Sequence, residues 1–466
     1  MFKEKIEEAI KVPSFDDIYI LPSLSPIEPS QVDLTTMFTT SIPLKIPLVS
    51  SPMDTITELD MAVAMALLGG IGVIHRNMER ERQLEIAKKV KEYPPIKLRW
   101  LYADIDEPCI RAVEILRKMA LRNLPVIDKG FPVGYIHIEN LSECRNFTTP
   151  IKNYVAPGKS FRVSEIGEAS QNIIKGKYDS LAIVSRSGEY LGTLVYSDVI
   201  EEYMPVLDNM GRLIVAAAIS PFDVERAKVL DKYVDAIVSD VAHFHNVEVL
   251  KNAKKVVSET SIDFVAGNIG SEQAVEDSLS IVERVDGFRV GIGGGSICTT
   301  PEITGAYSPT LWAVASVKDA LKKNNARIPV IADGGIRGTG DIVKALSVGA
   351  SSVMLGYMLA GTDEAPVPFI NIGENAYKPY RGMASRGAME RRFAVDRYSR
   401  VNKKVPEGVE GLVPYRGSVY GLVGEMVEAI KAGLGYAGSR NIEELWNKSK
   451  FIVATKKRNR NIKTDH

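Results

Sequence analysis

The sequence predicts an α/β protein, a (β/α)8 barrel with a smaller α+β domain inserted into it. Three observations carry that prediction. Eight short apolar, β-branched runs alternate with longer amphipathic stretches. One connection, 94–204, is about 110 residues long, far more than any loop inside a compact domain needs. Polar residues and glycines collect just after the apolar runs, at the strand ends where parallel barrels carry their function.

The apolar runs fall at 46–50, 71–75, 213–218, 236–240, 263–267, 287–291, 328–333 and 352–355. Helical periodicity marks 59–68, 80–93, 224–230, 246–258, 272–280, 310–323 and 339–348. Eight βα units favour a closed TIM barrel over a doubly wound open sheet, which normally has fewer strands and a single Gly-rich crossover. The barrel is expected to occupy 1–93 and 205–466, with the insert at 94–204. The insert repeats internally: LPVIDKGFPVGYIHIENL at 124–141 and LAIVSRSGEYLGTLVYSDVI at 181–200 both read strand, turn, Gly, strand, helix start, at an offset of 57 residues. A second irregular stretch, 361–417, has many Gly, Pro and Arg residues and little clean periodicity. At the functional face of a barrel it reads as a lid, with a flap expected at about 383–417.

Composition narrows the function classes. Of 466 residues, 58 are Lys or Arg and 58 Asp or Glu, so the formal net charge is zero, which argues against a broad nucleic-acid or anionic-membrane surface. The longest apolar run, 61–74, contains Gly69 and Gly70 and is too short to span a bilayer. The stretch 1–11 is charged and has no apolar signal core. A cytoplasmic location is expected. Cys109, Cys144 and Cys298 make no disulfide framework and are expected as free thiols.

Cys298 is the sharpest chemical signal. It follows Gly291, Gly293, Gly294, Gly295 and Ser296, a loop whose backbone can approach a ligand or ion closely. A thiol there is placed to attack an electrophilic carbon. Asp333-Gly334-Gly335 and Gly356 end the seventh and eighth strands, the pair of loops that commonly holds a phosphate, and Asp333 suits ribose hydroxyls. His243 and His245, with His75, raise a zinc-hydrolase alternative, but three scattered histidines without a full ligand set read better as polar residues of the barrel mouth.

Assembled, these residues resemble the IMP dehydrogenase/GMP reductase family. The match runs from Ser14-Phe15-Asp16-Asp17, through Ser50-Ser51-Pro52-Met53-Asp54 and Gly69-Gly70-Ile71-Gly72, to Gly293-x-Gly295-Ser296-Ile297-Cys298-Thr299-Thr300, Asp333-Gly334-Gly335 and Tyr380-Arg381-Gly382-Met383. The insert resembles a pair of CBS modules. Arg397-Tyr398, followed by Pro406-Glu407-Gly408, resembles the mobile flap of the dehydrogenases.

The resemblance implies an NAD-dependent oxidation of IMP to XMP, through a covalent bond between Cys298 and purine C2 that water then hydrolyses. It implies catalysis by Cys298, Thr300, Arg397 and Tyr398. Substrate contacts are implied for Ser51, Met53, Ser296, Asp333, Gly334, Gly335, Gly356, Tyr380, Gly382, Met383 and Glu407, and cofactor contacts for Asp240, Asn268 and Gly291. A potassium ion would take carbonyls near Gly293, Gly295 and Cys298, with the other half of its shell from a neighbouring subunit. A homotetramer and an adenine or guanine nucleotide at the CBS pair are implied as well. The chain departs from the family pattern at Tyr357 (often Ser), Ala384 (usually Gly), Phe244 (usually small) and Val241 (often Thr). In the repeats, the second carries Asp198 with Val195 where Thr usually stands, and the first His137 and Asn140. Two other readings stay open: a GMP reductase using NADPH, favoured by the Asp240-Val241-Ala242 run, and a nucleotide-binding protein that has lost turnover.

Overall fold

The computed structural model describes residues 3, 9–141, 148–200, 204–390 and 406–453. Arg397 and Tyr398, Cys144 and the basic stretch 456–463 lie outside the described residues. The chain divides into two compact units: Met1–Lys91 with Ile214–His466, and Glu92–Leu213.

The first unit is a closed barrel of eight parallel strands: β1 (Leu48–Ser50), β2 (Ile71–Ile74), β3 (Ala216–Ile219), β4 (Ala236–Ser239), β5 (Asp263–Ile269), β6 (Gly287–Val290), β7 (Val330–Asp333) and β8 (Ser352–Leu355). Neighbours in sequence are neighbours in the sheet, and β8 pairs with β1 to close it. The strands are buried almost throughout, as parallel strands covered on both faces must be. Each is followed by a helix: α1 (Leu59–Leu67), α2 (Arg80–Glu92), α3 (Val224–Leu230), α4 (Val247–Glu259), α5 (Glu272–Ile281), α6 (Thr310–Lys323), α7 (Thr339–Ser347) and α8 (Val419–Tyr436). Side-chain caps start several of them: Asp223 Oδ1 accepts from Arg226 N, and Asn246, Ser271 and Ser418 cap α4, α5 and α8 in the same way.

Three strands begin later than their apolar runs. Pro47 and Pro329 carry no N–H, so the ladders of β1 and β7 start after them. Leu213 pairs back with Leu207 around a turn at 208–212, in which Gly211 adopts φ +73°, so β3 starts at Ala216 instead of 213.

The irregular stretch after β8 contains regular structure that periodicity does not reveal. Ile370–Ile372, Asn375–Arg381 and Glu410–Pro414 form a three-stranded antiparallel sheet. Ile370–Ile372 is exposed along its whole length, and such an edge carries no burial pattern to read.

The second unit is built of two similar halves. Asn123–Asp128 pairs with Ala103–Asp104 in parallel and with Phe131–His137 antiparallel. Ser180–Val184 pairs with Phe161–Arg162 and Tyr190–Val195 in the same two senses. Helices Cys109–Met119 and Ile166–Ile174 complete the halves. Residues that correspond at the 57-residue offset bond to each other: Arg122 Nη2 lies 2.6 Å from Asp179 Oδ1, and Asn123 Nδ2 donates to the Ser180 carbonyl at 2.7 Å. The repeat is therefore a local two-fold between the two middle strands. In the second half, fully buried Asp198 takes Nε (2.7 Å) and Nη2 (2.9 Å) of Arg99.

Arg99→Ala leaves the Asp198 carboxylate buried without its cation. It is expected to destabilise the second unit by about 3 kcal/mol, with Arg99→Lys losing less. Amide hydrogen exchange across residues 92–213 in the full chain checks this, and exchange unchanged in Arg99→Ala would show the pair to be idle.

Candidate active site

The C-terminal ends of six barrel strands, β1 and β4 to β8, open into one cavity. Ser51 and Met53 enter from the β1 end, Asp240 from β4 and Asn268 from β5. The β6 loop supplies Gly291, Gly293, Gly295, Ser296, Cys298 and Thr300. Asp333, Gly334 and Gly335 come from β7, Gly356 from β8, and Tyr380, Gly382, Met383 and Glu407 from the antiparallel sheet and its flanks. All the candidate residues within the described stretches line this one cavity; Arg397 and Tyr398 fall outside those stretches.

The thiol sits in a directed hydrogen-bond chain. Cys298 Sγ donates to Thr300 Oγ1 at 3.2 Å, and Thr300 Oγ1 donates to Glu407 Oε2 at 2.9 Å. The backbone holds this register: Thr299 N donates to the Glu407 carbonyl (3.0 Å), Glu407 N to that of Ala384 (3.0 Å) and Val409 N to that of Ile297 (3.0 Å). The loop thus binds the segment that follows 391–405, and that segment in turn binds the one that precedes it. The short helix Thr300–Thr304, with Pro301 in its first turn, follows directly.

Close backbone approach explains two of the glycines. Gly291 adopts φ +130°, and a Cβ there would collide with the Asp333 carbonyl. Gly334 adopts φ +92°, with the Gly295 amide nitrogen 3.0 Å from where its Cβ would stand. The β6 and β7 loops can touch only because neither carries a side chain at these points.

A lattice of charges lies at the ends of β4–β7. Arg289 on β6 donates from Nε to Asp333 Oδ2 (2.8 Å) and from Nη1 to Asp240 Oδ1 (3.2 Å). Arg76 adds Nε to Asp240 Oδ2 (3.2 Å), and Asn268 Nδ2 donates to Asp333 Oδ2 (2.8 Å) and to the Gly291 carbonyl (3.0 Å). Burial pushes the Arg289 guanidinium down, but Asp333 and Asp240 more than offset this and hold it above its ordinary value.

Asp54 is the second hub. Arg381 clamps it through Nε (3.0 Å) and Nη2 (2.6 Å), and Asn77 Nδ2 donates to it at 2.7 Å. Burial pushes its carboxyl up, yet Arg381 and Asn77 hold it below the usual carboxylate value. The clamp ties the β1 loop to the strand Asn375–Arg381. On that strand, burial pushes the Tyr380 phenol up to about 12, against a hydrogen bond with Ser296 that acts the other way.

Sequence reasoning gave no role to Arg289, Arg76, Asn77, Asp54 or Arg381. The available signals were an arginine inside an otherwise apolar strand and the Asp and Arg within two motifs already noticed. The three histidines do not converge. His75 Nε2 bonds Glu58 (3.3 Å), His245 Nε2 bonds Asp277 (2.7 Å), and among the described residues no His, Cys, Asp and Glu side chains gather as a metal-binding cluster. Two of the departures are absorbed by the core. Val241 and Phe244 are fully buried, and Phe244 packs 6.3 Å from Phe264. Tyr357 and Ala384 do line the cavity.

A family model described as "IMP dehydrogenase / GMP reductase domain" matches residues 13–464. A Korarchaeum cryptofilum protein named inosine-5'-monophosphate dehydrogenase is 44% identical over 446 residues, 94% of this chain and 93% of that protein. A Thermoplasma acidophilum protein of the same name is 41% identical over 98% of this chain and 94% of its own. Among solved structures, a point variant of a Trypanosoma brucei GMP reductase in complex with guanosine 5'-monophosphate is similar at TM-score 0.70 and 32% identity, covering 97% of both chains.

The folded-state carboxyl of Asp54 lies below its unfolded value. Its stabilisation is therefore complete above about pH 4 and is lost as pH falls through the lowered value. Asp54→Asn is expected to be clearly less stable than the parent at neutral pH, with the gap closing on acidification. Denaturant unfolding at a series of pH values checks the sign, and a gap that widens in acid would contradict it.

Proposed function

Because the chain belongs to the IMP dehydrogenase/GMP reductase family and its relatives are named inosine-5'-monophosphate dehydrogenase, we propose that it is such a dehydrogenase and that it oxidises IMP to XMP with NAD and water. The observation that carries the reading is the chain Cys298–Thr300–Glu407, which holds a thiol in the wall of a cavity that Gly334, Gly335 and Gly356 also line.

The phosphate of the substrate lies against Gly334, Gly335 and Gly356, with Ser296 and Tyr380 donating hydroxyls. Asp333 takes ribose hydroxyls, and Glu407 meets the purine edge beside Ser51, Met53, Gly382 and Met383. Cys298 adds to C2 as its thiolate, forming the C–S bond. NAD, when bound, accepts the C2 hydride. Water then attacks C2, the C–S bond breaks, and the thiol is regenerated as XMP leaves. The role of Arg397 and Tyr398 in activating that water, with Thr300, rests on the resemblance alone. A guanidinium with a pKa above about 12 needs a specific setting to act as a base.

The residues suit the dinucleotide. Asn268 spends its amide donors on Gly291 and Asp333, and its side-chain oxygen, at the cavity wall, takes no hydrogen bond from the described residues. That oxygen, with Asp240 and Gly291, fits a carboxamide. Carbonyls of Gly293, Gly295 and Cys298 are the oxygen type a potassium ion takes. Gly295 O already accepts the Cys298 N–H at 3.0 Å, so the loop offers part of a shell and a neighbouring subunit of a homotetramer would complete it.

The second unit is proposed as a CBS pair. A nucleotide ribose reaching Asp198 would have to displace Arg99. Among the described residues no helix is long and apolar enough to cross a membrane, and a cytoplasmic location fits the free thiols. GMP reduction is the second reading, favoured by the similarity to the Trypanosoma brucei reductase.

With IMP, NAD and potassium the protein is expected to produce NADH, and with GMP and NADPH to leave NADPH unconsumed; the opposite pair of results would assign the reductase. Cys298→Ala is expected to lose turnover by about a thousandfold or more while still binding IMP by calorimetry. Arg397→Ala is expected to give a burst of NADH stoichiometric with enzyme and then a slow phase, because hydrolysis of the covalent intermediate is what it impairs. A uniform slowing without a burst would remove Arg397 from that step.

A further inference from the structure

Lys378 is buried, with 3% of its surface exposed, and among the described residues no carboxylate pairs with it. Its Nζ donates instead to three main-chain carbonyls, those of Thr362 (2.6 Å), Ala365 (2.9 Å) and Asp363 (3.2 Å). A neutral amine has only two N–H bonds, so three acceptors call for the ammonium. The acidic side chains of this loop are turned to other partners. Asp363 accepts from the Tyr415 hydroxyl (2.7 Å), and Glu364 from Ser418 Oγ (2.7 Å) and Val419 N (2.8 Å). Carbonyl oxygens converging on one small charge are what a monovalent cation takes for its shell. Here the cation is carried by the chain itself.

The ammonium joins two elements. The loop 362–365 follows β8 and is held on one side by backbone bonds: Asp363 N donates to the Gly417 carbonyl (2.9 Å) and Arg416 N to that of Gly361 (2.8 Å). Lys378 comes from the middle strand of the antiparallel sheet, Asn375–Arg381. Side chains alternate along a strand, and Lys378 and Tyr380 share its buried face. The Tyr380 hydroxyl lies 3.0 Å from where a Cβ on Gly356 would stand, and Gly382 and Met383 continue into the cavity wall. Without the ammonium, three buried carbonyls would face one space with no donor between them, which favours separation of the loop from the strand.

We propose that Lys378 is a tethered cation that aligns the substrate wall of the cavity. Its ammonium stands where a monovalent ion would otherwise bridge the loop 362–365 and the strand, and so fixes Tyr380, Gly382 and Met383 in place. Lys378 is a positioning residue, and its place is separate from the potassium position proposed on the β6 loop. This rests on the nucleotide reading of the cavity.

The test uses the full-length protein at constant potassium and ionic strength. Lys378→Met keeps most of the apolar stem and removes the charge. It is expected to raise KM for IMP, lowering kcat/KM for IMP about tenfold or more, with KM for NAD nearly unchanged. Lys378→Ala is expected to show the same loss. n-Propylammonium, the fragment that this substitution removes, is expected to restore part of kcat/KM with saturation, whereas n-propanol and tetramethylammonium do not. A Lys378→Met protein with a lower thermal midpoint but an unchanged KM for IMP would reduce the lysine to a stabilising role and overturn the proposal. So would a Lys378→Ala protein that n-propylammonium leaves unrescued, or that n-propanol rescues equally. If Lys378→Ala does not fold alone, refolding is scored with the same three additives. Native circular dichroism regained with n-propylammonium only supports the proposal, and any other pattern overturns it. Calorimetry of IMP binding to the parent separates the failures. A parent that binds IMP without turnover loses only the catalytic reading, and the variants are then compared by Kd. A parent that binds no IMP takes both readings down.

Discussion

The active end of the barrel is organised around one buried cation. Arg289 projects from β6 with its guanidinium between Asp240 and Asp333, so a single side chain locks the ends of β4, β6 and β7 in register. Removing it from water is costly, and the cost is met only because both carboxylates, Arg76 and Asn268 complete the network. The two carboxylates are the same groups proposed to face the dinucleotide and the ribose. The element that holds the barrel mouth together thus also sets the spacing between the two proposed subsites.

On that frame the chemistry depends on backbone proximity. The β6 loop reaches the β7 loop because Gly291 and Gly334 leave no side chain between them, and it reaches the segment around Glu407 through paired amides and carbonyls. Cys298 is therefore held from two directions, by its own loop and by a strand-flanking segment more than a hundred residues later. The Asp54–Arg381 clamp does the same for the opposite wall, fixing the strand that carries Tyr380. A site assembled in this way is rigid where the purine would lie, which suits covalent addition at one carbon.

Much of this was legible in the sequence, and the reasons are physical. The barrel strands are buried on both faces, so they appear as continuous apolar runs whose ends mark the functional face. The glycine-rich loop before Cys298 was visible for the same reason that it works, since only glycine permits the approach. What stayed hidden depends on long-range partners. Arg289 looks like an ordinary strand residue until its two carboxylates, 49 and 44 positions away, are seen beside it. The sheet between Ile370 and Pro414 has an exposed edge and no alternation to detect. Phe244 stands out in the sequence as a bulky residue where the family pattern has a small one, because burial cannot be read at one position, and it is core.

The most direct test of the account is to catch the bond it requires. Protein mixed with IMP and NAD, quenched in acid during turnover and digested, should yield a purine-nucleotide adduct on the peptide containing Cys298, absent without NAD and absent in Cys298→Ala. Turnover to XMP with no such adduct, or with an adduct on Cys109 or Cys144 instead, would contradict covalent catalysis at Cys298.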